Sequence, residues 1–120
     1  MIPLGDARRL SLSDCAQFFS FSAQAHPLSE QECAEGGDFI RNAALSRDGG
    51  MSGAAFLGRF SDDLALIKAF PPELRWFVQD RQDEDFLFGK VAEVFEKPEA
   101  PQLHQRRFFT DCTTRASVTR

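Results

Sequence analysis

The fold depends on residues 61–97, which read SDDLALIKAFPPELRWFVQDRQDEDFLFGKVAEVFEK. Large apolar side chains recur there with a period of two on either side of a proline pair: Leu64, Leu66 and Phe70 before it, Leu74, Trp76 and Val78 after it. This period is typical of strands, because successive strand side chains point to opposite faces. The polar residues from Asp80 to Asp85 follow, and we expect them to form the loop of a hairpin.

We therefore predict an α+β fold in a single domain, residues 1–120. Two N-terminal helices, within about 11–48, pack on a small C-terminal antiparallel sheet, within about 54–115. An all-helical bundle is the alternative, because Val, Ile and Thr are few and because Leu87, Val91 and Val94 also recur at helical spacing. Gly89 would interrupt such a helix, and this favours the sheet.

Capping signals predict the two helices. Ser11 and Asp14 precede an apolar pattern that fits a helix over about 12–25. Ser29 and Glu32 form a clearer capping box, and the helix that they open ends at the Asp48-Gly49-Gly50 sequence. The Gly36-Gly37 pair inside this helix predicts either a kink or, if the helix is continuous, close packing on another element.

The composition limits the classes of protein that fit. Thirteen Phe and one Trp accompany no Tyr, so most aromatic side chains lack a polar group and are expected in the core. The net charge is −4, and an acidic body disfavours nucleic acid as the main partner, although residues 101–120 are basic. We find neither an apolar run of signal-peptide length nor a small-residue cleavage pattern, and no stretch long enough to cross a membrane. A cytoplasmic location is therefore predicted.

The three cysteines, Cys15, Cys33 and Cys112, are odd in number and widely spaced, so we predict buried free thiols. His26 and His104 are not spaced as metal ligands, and no metal site or cofactor is predicted. Known hydrolase and nucleotide-binding fingerprints are also missing from the sequence, so no catalytic residue is assigned.

The leading functional hypothesis is a non-catalytic binding or regulatory protein that recognises another protein. Trp76 is the predicted aromatic anchor. The neighbouring carboxylates are predicted to steer a partner with a basic surface: Asp80, Asp83, Glu84 and Asp85. Self-association is a further expectation, since a Phe-rich sheet face needs a cover.

Two alternatives belong to other functional classes. A nucleic-acid accessory factor would use Arg106 and Arg107 for phosphate and the adjoining Phe108-Phe109 pair for base stacking. A small enzyme would use Cys112 as nucleophile, with His104 and Asp111 as the other residue types that covalent hydrolysis needs.

Overall fold

Four α-helices and one short 3₁₀ turn make up residues 28–118, the part of the chain that the computed structural model describes. The helices are α1 (Glu30–Asp48), α2 (Gly53–Ile67), α3 (Arg81–Glu96) and α4 (Pro101–Val118), and the 3₁₀ turn (Pro72–Leu74) lies between α2 and α3. None of these four helices is both long and apolar enough to cross a membrane. The helix predicted over 12–25 and the residue Cys15 lie outside the described residues.

The predicted antiparallel sheet is wrong, because residues 28–118 contain no strand. The all-helical alternative is the fold that these residues adopt. The period of two was misleading because it mixed core and surface positions: Leu64 is buried, whereas Leu66 and Phe70 are 69% and 54% exposed. Apolar residues that remain on the surface carry no information about which face of an element is buried.

Helix α1 begins and ends where the capping signals predict. The Ser29 hydroxyl accepts a hydrogen bond from the Glu32 backbone N–H, and the Glu32 carboxylate accepts one from the Ser29 N–H, so the capping box is confirmed. At the other end Gly49 follows the last helical residue, and Gly50 has a φ of 104°, a backbone angle that favours glycine.

The Gly36-Gly37 pair lies inside one continuous helix and lets α4 approach α1 closely. The ring of Phe108 occupies the space beside Gly36, where a Cβ atom would lie only 2.5 Å from Cε1 of that ring. Close packing, one of the two outcomes expected from the glycine pair, is therefore confirmed. Because Gly36 has no side chain, the Phe108 ring can lie against the α1 backbone, and the two helices can pack this closely.

A disulfide between Cys33 and Cys112 joins α1 to α4 within this packed interface. Both residues are fully buried, and their Cα atoms are 5.6 Å apart. The prediction of free thiols is therefore wrong for these two cysteines, although the prediction that they are buried is confirmed. Residues 79 positions apart give no sequence signal of their pairing. Only the antiparallel packing of α1 and α4 brings them together.

The segment predicted as the strand around Trp76 is an inward-folded loop. The Val78 N–H donates to the Trp76 carbonyl at 2.5 Å, and Phe77 between them has a φ of 59°. This turn directs the Phe77 ring into the core, where it is fully buried and lies 5.7 Å from the ring of Phe108. Core burial of Phe77 offsets the cost of about 1–3 kcal/mol for its unusual backbone angle.

The prediction of a hairpin loop is also wrong, because the residues from Asp80 to Asp85 form the N-terminal end of helix α3. Asp80 is the N-cap, and its side chain accepts a hydrogen bond from the Asp83 N–H at 2.9 Å. Acidic side chains are favourable at this end of a helix, where the unpaired N–H groups carry partial positive charge. The inner face of α3 contains Leu87, Val91 and Val94, the residues on which the helical alternative depended.

Candidate functional site

A cluster of aromatic rings lies where α1 meets α2. The ring centroid of Phe39 on α1 lies 5.8 Å from that of Phe56 and 5.0 Å from that of Phe60, both on α2. Trp76 approaches Phe39 edge-on from the following loop, at 5.5 Å. Phe60 is almost completely buried and also packs on Phe88 of α3, 4.9 Å away. These contacts fix the rings in place from three sides.

The outer side of this cluster is a cleft of about 190 Å³ that we call the aromatic groove. Its lining combines large apolar side chains with polar groups: Phe39, Ser46, Met51, Phe56, Arg59, Phe60 and Asp63. The connection between α1 and α2 closes one end, because the Met51 N–H donates to the Ser46 carbonyl at 3.0 Å. Ser52 then caps α2 by accepting from the Ala55 N–H.

Two opposite charges lie at the rim of the aromatic groove. Arg59 and Asp63 are one turn apart on α2, and both are exposed. Neither forms an ion pair with any residue between 28 and 118. Within the described part of the chain, both charges are therefore without an ion-pair partner.

Further large apolar side chains are exposed on α2 and in the segment that follows it. Leu66 follows Arg59 and Asp63 at helical spacing, so the three share one face of the helix. Leu66, Phe70 and Leu74 are 69%, 54% and 68% exposed. Exposed large apolar side chains that lie together are typical of interaction surfaces.

The structure brings only one of the predicted protein-binding residues to this site. Trp76 is half-buried and packs on Phe39 of the aromatic cluster, but it does not line the groove. The predicted acidic patch is used within the fold. Asp80 caps α3, and Glu84 pairs with Lys68 at 3.1 Å.

The remaining two carboxylates of that patch are also paired. Asp85 pairs with Arg81 one turn earlier, at 3.4 Å. Asp83 is buried, pairs with Arg115 of α4 at 3.0 Å and accepts a hydrogen bond from the Gln79 N–H at 3.0 Å. Burial raises the pKa of the Asp83 carboxyl, against the opposing effect of these two donors. Asp83 thus connects α3, α4 and the preceding loop.

The residues predicted to bind nucleic acid do not form one surface. Arg107 donates to Glu99 at 2.6 Å, and Phe108 is buried in the core. Arg106 is exposed and lines a second groove between α1 and α4, together with Phe109. This second groove has one large apolar side chain, and its Asp38 already accepts a hydrogen bond from Gln105 at 2.8 Å. The second groove is the larger of the two, about 350 Å³ against about 190 Å³, but the aromatic groove has more large apolar side chains in its lining.

The residues considered for covalent catalysis are not arranged for it. Cys112 is bonded to Cys33, so its thiol cannot act as a nucleophile while the disulfide is intact. Asp111 pairs with Lys90, and His104 is buried with its Nε2 3.5 Å from Nη1 of Arg47. Within residues 28–118, no group of three or more metal-ligating side chains is close enough to hold a metal ion.

The aromatic groove itself was missed in the sequence. Phe56 and Phe60 are four residues apart, which on a helix places them on one face, but the sheet predicted within about 54–115 includes both of them. Phe39 gives no such signal, since its contact with α2 depends on how the helices pack. The chain matches no protein-family model, no curated protein and no solved structure, so its function is inferred from its own residues.

Proposed function

We propose that this chain is a non-catalytic recognition protein that binds a segment of another protein in the aromatic groove. The observation that carries the proposal is the groove itself, in which three Phe rings and Met51 surround a cleft between two helices. Its rim has an arginine and an aspartate, Arg59 and Asp63, that are exposed and not paired within the described residues. Central apolar anchors surrounded by polar groups are the usual anatomy of a protein interface.

The size of the groove favours a protein partner over a small substrate. Sites for small molecules typically enclose roughly 300–1,000 Å³, whereas this cleft measures about 190 Å³. It suits one or two large apolar side chains of a partner. The exposed side chains of Leu66 on α2 and of Phe70 and Leu74 after it supply further apolar surface.

The rim charges define the chemistry of the partner more closely. We propose a segment with one large apolar side chain, a carboxylate that pairs with Arg59 and a cation that pairs with Asp63. The net charge of −4 makes a partner with a basic surface the better match, as the sequence also predicts. In this proposal Trp76 acts by supporting Phe39, and the carboxylates at the start of α3 act in folding.

The cytoplasmic location stays a prediction from the sequence. A buried disulfide argues against it, because such bonds are rare in cytosolic proteins. Self-association also stays a prediction, and a second copy of the chain is one partner that the experiment below distinguishes from a different protein.

Selection of peptides from a random displayed library tests the proposal. We expect the selected peptides to share a large aromatic or aliphatic residue next to charged residues. Calorimetry then compares three proteins: the unchanged chain, Arg59→Glu at the groove and Arg106→Glu at the second groove, both exposed arginines. Arg59→Glu is expected to weaken binding about tenfold, which corresponds to about 1.4 kcal/mol. Arg106→Glu should leave affinity unchanged.

Other outcomes contradict the proposal in identifiable ways. Peptides that depend on Arg106 rather than Arg59 would move recognition to the second groove. Salt-sensitive binding of a single-stranded oligonucleotide that Arg106→Glu abolishes would favour the nucleic-acid alternative. A dimer that Arg59→Glu dissociates, seen by light scattering, would make a second copy of this chain the occupant.

A further inference from the structure

We infer that two copies of this chain associate through the outer face of α1, as an antiparallel pair of helices. This face lies about 120° around α1 from Phe39 and Ser46, which line the aromatic groove. The two surfaces are therefore separate, and the dimer does not depend on recognition in the groove.

The outer face of α1 has the spacing of a seam between two helices. Intervals of three and four residues alternate along it and average 3.5, which keeps a stripe in line with the helix axis. The stripe is about 26 Å long at about 1.5 Å per residue. Five of its six residues are exposed and Arg41 is half-buried. We call it the α1 seam, and it consists of Gln31, Ala34, Asp38, Arg41, Leu45 and Asp48.

Two opposite charges lie at the centre of the α1 seam. Asp38 accepts a hydrogen bond from the Gln105 side-chain amide at 2.8 Å, a donor that has no charge. Neither Asp38 nor Arg41 forms an ion pair within residues 28–118. Asp48, at one end of the seam, already pairs with Arg47 at 2.9 Å. The centre of the seam is thus neutral overall and offers one anion and one cation to a partner.

These two charges match a second copy in the antiparallel orientation. In a parallel pair of helices each seam residue faces the same residue of the other copy, so Asp38 would meet Asp38 and Arg41 would meet Arg41. In the antiparallel pair a two-fold axis between these positions sets Asp38 of each copy against Arg41 of the other. Two reciprocal ion pairs then take the place of two like-charge contacts.

The same register also matches a large apolar side chain with a small one. It places Leu45, which is 45% exposed, against Ala34 of the other copy. Ala34 lines the second groove, whose apolar lining also includes Gly37 and Phe109. Leu45 can therefore enter the space beside Ala34, as a large side chain of one helix fills a hole on a facing helix.

Reciprocity is the reason for assigning a second copy rather than a different protein to the α1 seam. A two-fold interface requires a surface that is complementary to itself. One register of the α1 seam satisfies this requirement in the charged pair and in the apolar pair. Because Leu45 is the one large apolar side chain of the seam, we expect a weak dimer rather than an obligate one.

Light scattering and sedimentation velocity of the full chain test the inference, at concentrations from about 10 µM to about 1 mM. Every protein in the experiment contains Cys15→Ser, so that no dimer forms through the third cysteine. We expect a mixture of monomer and dimer that depends on concentration. Arg59→Glu at the aromatic groove should leave this mixture unchanged.

Charge reversal identifies the contact. Asp38→Arg and Arg41→Asp should each weaken dimerisation at least about tenfold, because like charges then meet. The double variant exchanges the two charges and should dimerise as the parent chain does. An equimolar mixture of the two single variants should also dimerise, since one copy then has two cations and the other two anions. Asp62→Arg on the exposed side of α2 is the matched control and should have no effect.

Three results would overturn the α1 interface. One is a chain that is still monomeric at about 1 mM. Another is a dimer that Asp38→Arg and Asp62→Arg weaken equally, or a double variant that does not regain dimerisation. The third is a dimer that Arg59→Glu dissociates and the α1 variants do not, which would place the second copy in the aromatic groove. Each result is obtained without a peptide, so it is separate from the test of the proposed function.

Discussion

The ring of Phe108 lies directly against the backbone of Gly36, so a Cβ atom at position 36 would be 2.5 Å from its Cε1 atom and 2.8 Å from its Cζ atom. The ring of Phe77 closes the other side of the same space, 2.9 Å from that Cβ position. Gly36 is thus the point at which α1, α4 and the loop before α3 meet.

Gly36→Ala is expected to destabilise the protein although alanine favours helix formation. Overpacking a filled core costs about 1–3 kcal/mol, which exceeds the gain of about 1 kcal/mol in helix propensity. Gly89→Ala on α3 is the matched control, because a Cβ there meets nothing within 4 Å. It should raise the free energy of unfolding by about 0.5–1 kcal/mol. Urea denaturation measures both variants, and equal stabilisation of the two would contradict the packing described for Gly36.

Asp83→Ala tests whether the acidic residues at the start of α3 act in folding. The substitution leaves the Gln79 N–H without its acceptor and Arg115 without this carboxylate, and should lower the free energy of unfolding by about 2 kcal/mol. Asp85→Ala removes an exposed ion pair with Arg81 and should change the free energy of unfolding by less than about 0.5 kcal/mol. Thermal and urea unfolding measure both variants. Similar small losses of unfolding free energy in the two would contradict a folding role for Asp83 and favour its predicted role in binding a partner.

His104 is expected to make stability depend on pH. Burial lowers the pKa of its imidazole, and the nearby charges act in both directions: Arg47 and Arg107 lower it, whereas Glu99 and Glu93 raise it. Because the folded chain holds the neutral ring, stability from this group is complete above pH 6.5 and is lost as the pH falls through the lowered value. The loss is at most about 1.4 kcal/mol per pH unit.

His104→Gln supplies the comparison, since glutamine does not titrate. Urea denaturation of both proteins from neutral to acidic pH gives the difference in their free energies of unfolding, in which the titration of Asp83 and other shared groups cancels. We expect the difference to shrink as the pH falls below 6.5. A constant difference across this range would contradict the effect assigned to burial of the imidazole.

The sequence predicts α1 well and the rest of the fold poorly, for physical reasons. Ser29 and Glu32 interact three residues apart, so the signal for the helix start is local. Helix α2 has a weaker signal, because Ser52 is followed three residues later by Ala55 rather than by the Glu or Gln of a capping box. Leu66 also stays on the surface and produces the spacing of a strand. Gly89, which favoured the sheet, faces open space in α3, where it costs the helix only about 1 kcal/mol.

Non-local contacts explain why the candidate site was largely missed. Trp76 contacts Phe39, which is on a helix 37 positions earlier, and no local pattern in the sequence indicates that contact. The pairing of Cys33 with Cys112 has the same origin. His104, Phe108 and Cys112 do recur every four residues, and all three are buried on α4, so helical spacing was the better guide to that segment.

Site-specific photo-crosslinking tests recognition in the aromatic groove most directly. A photoreactive phenylalanine analogue replaces Met51 at the groove or, as the control, Glu73, which is exposed in the 3₁₀ turn and does not line the groove. Both proteins are irradiated with the selected peptide, and mass spectrometry locates the joined residues. We expect Met51 to join the peptide at or next to its large apolar residue and Glu73 to give no adduct. Adducts from Glu73 alone, or equally from both positions, would contradict recognition through the aromatic groove.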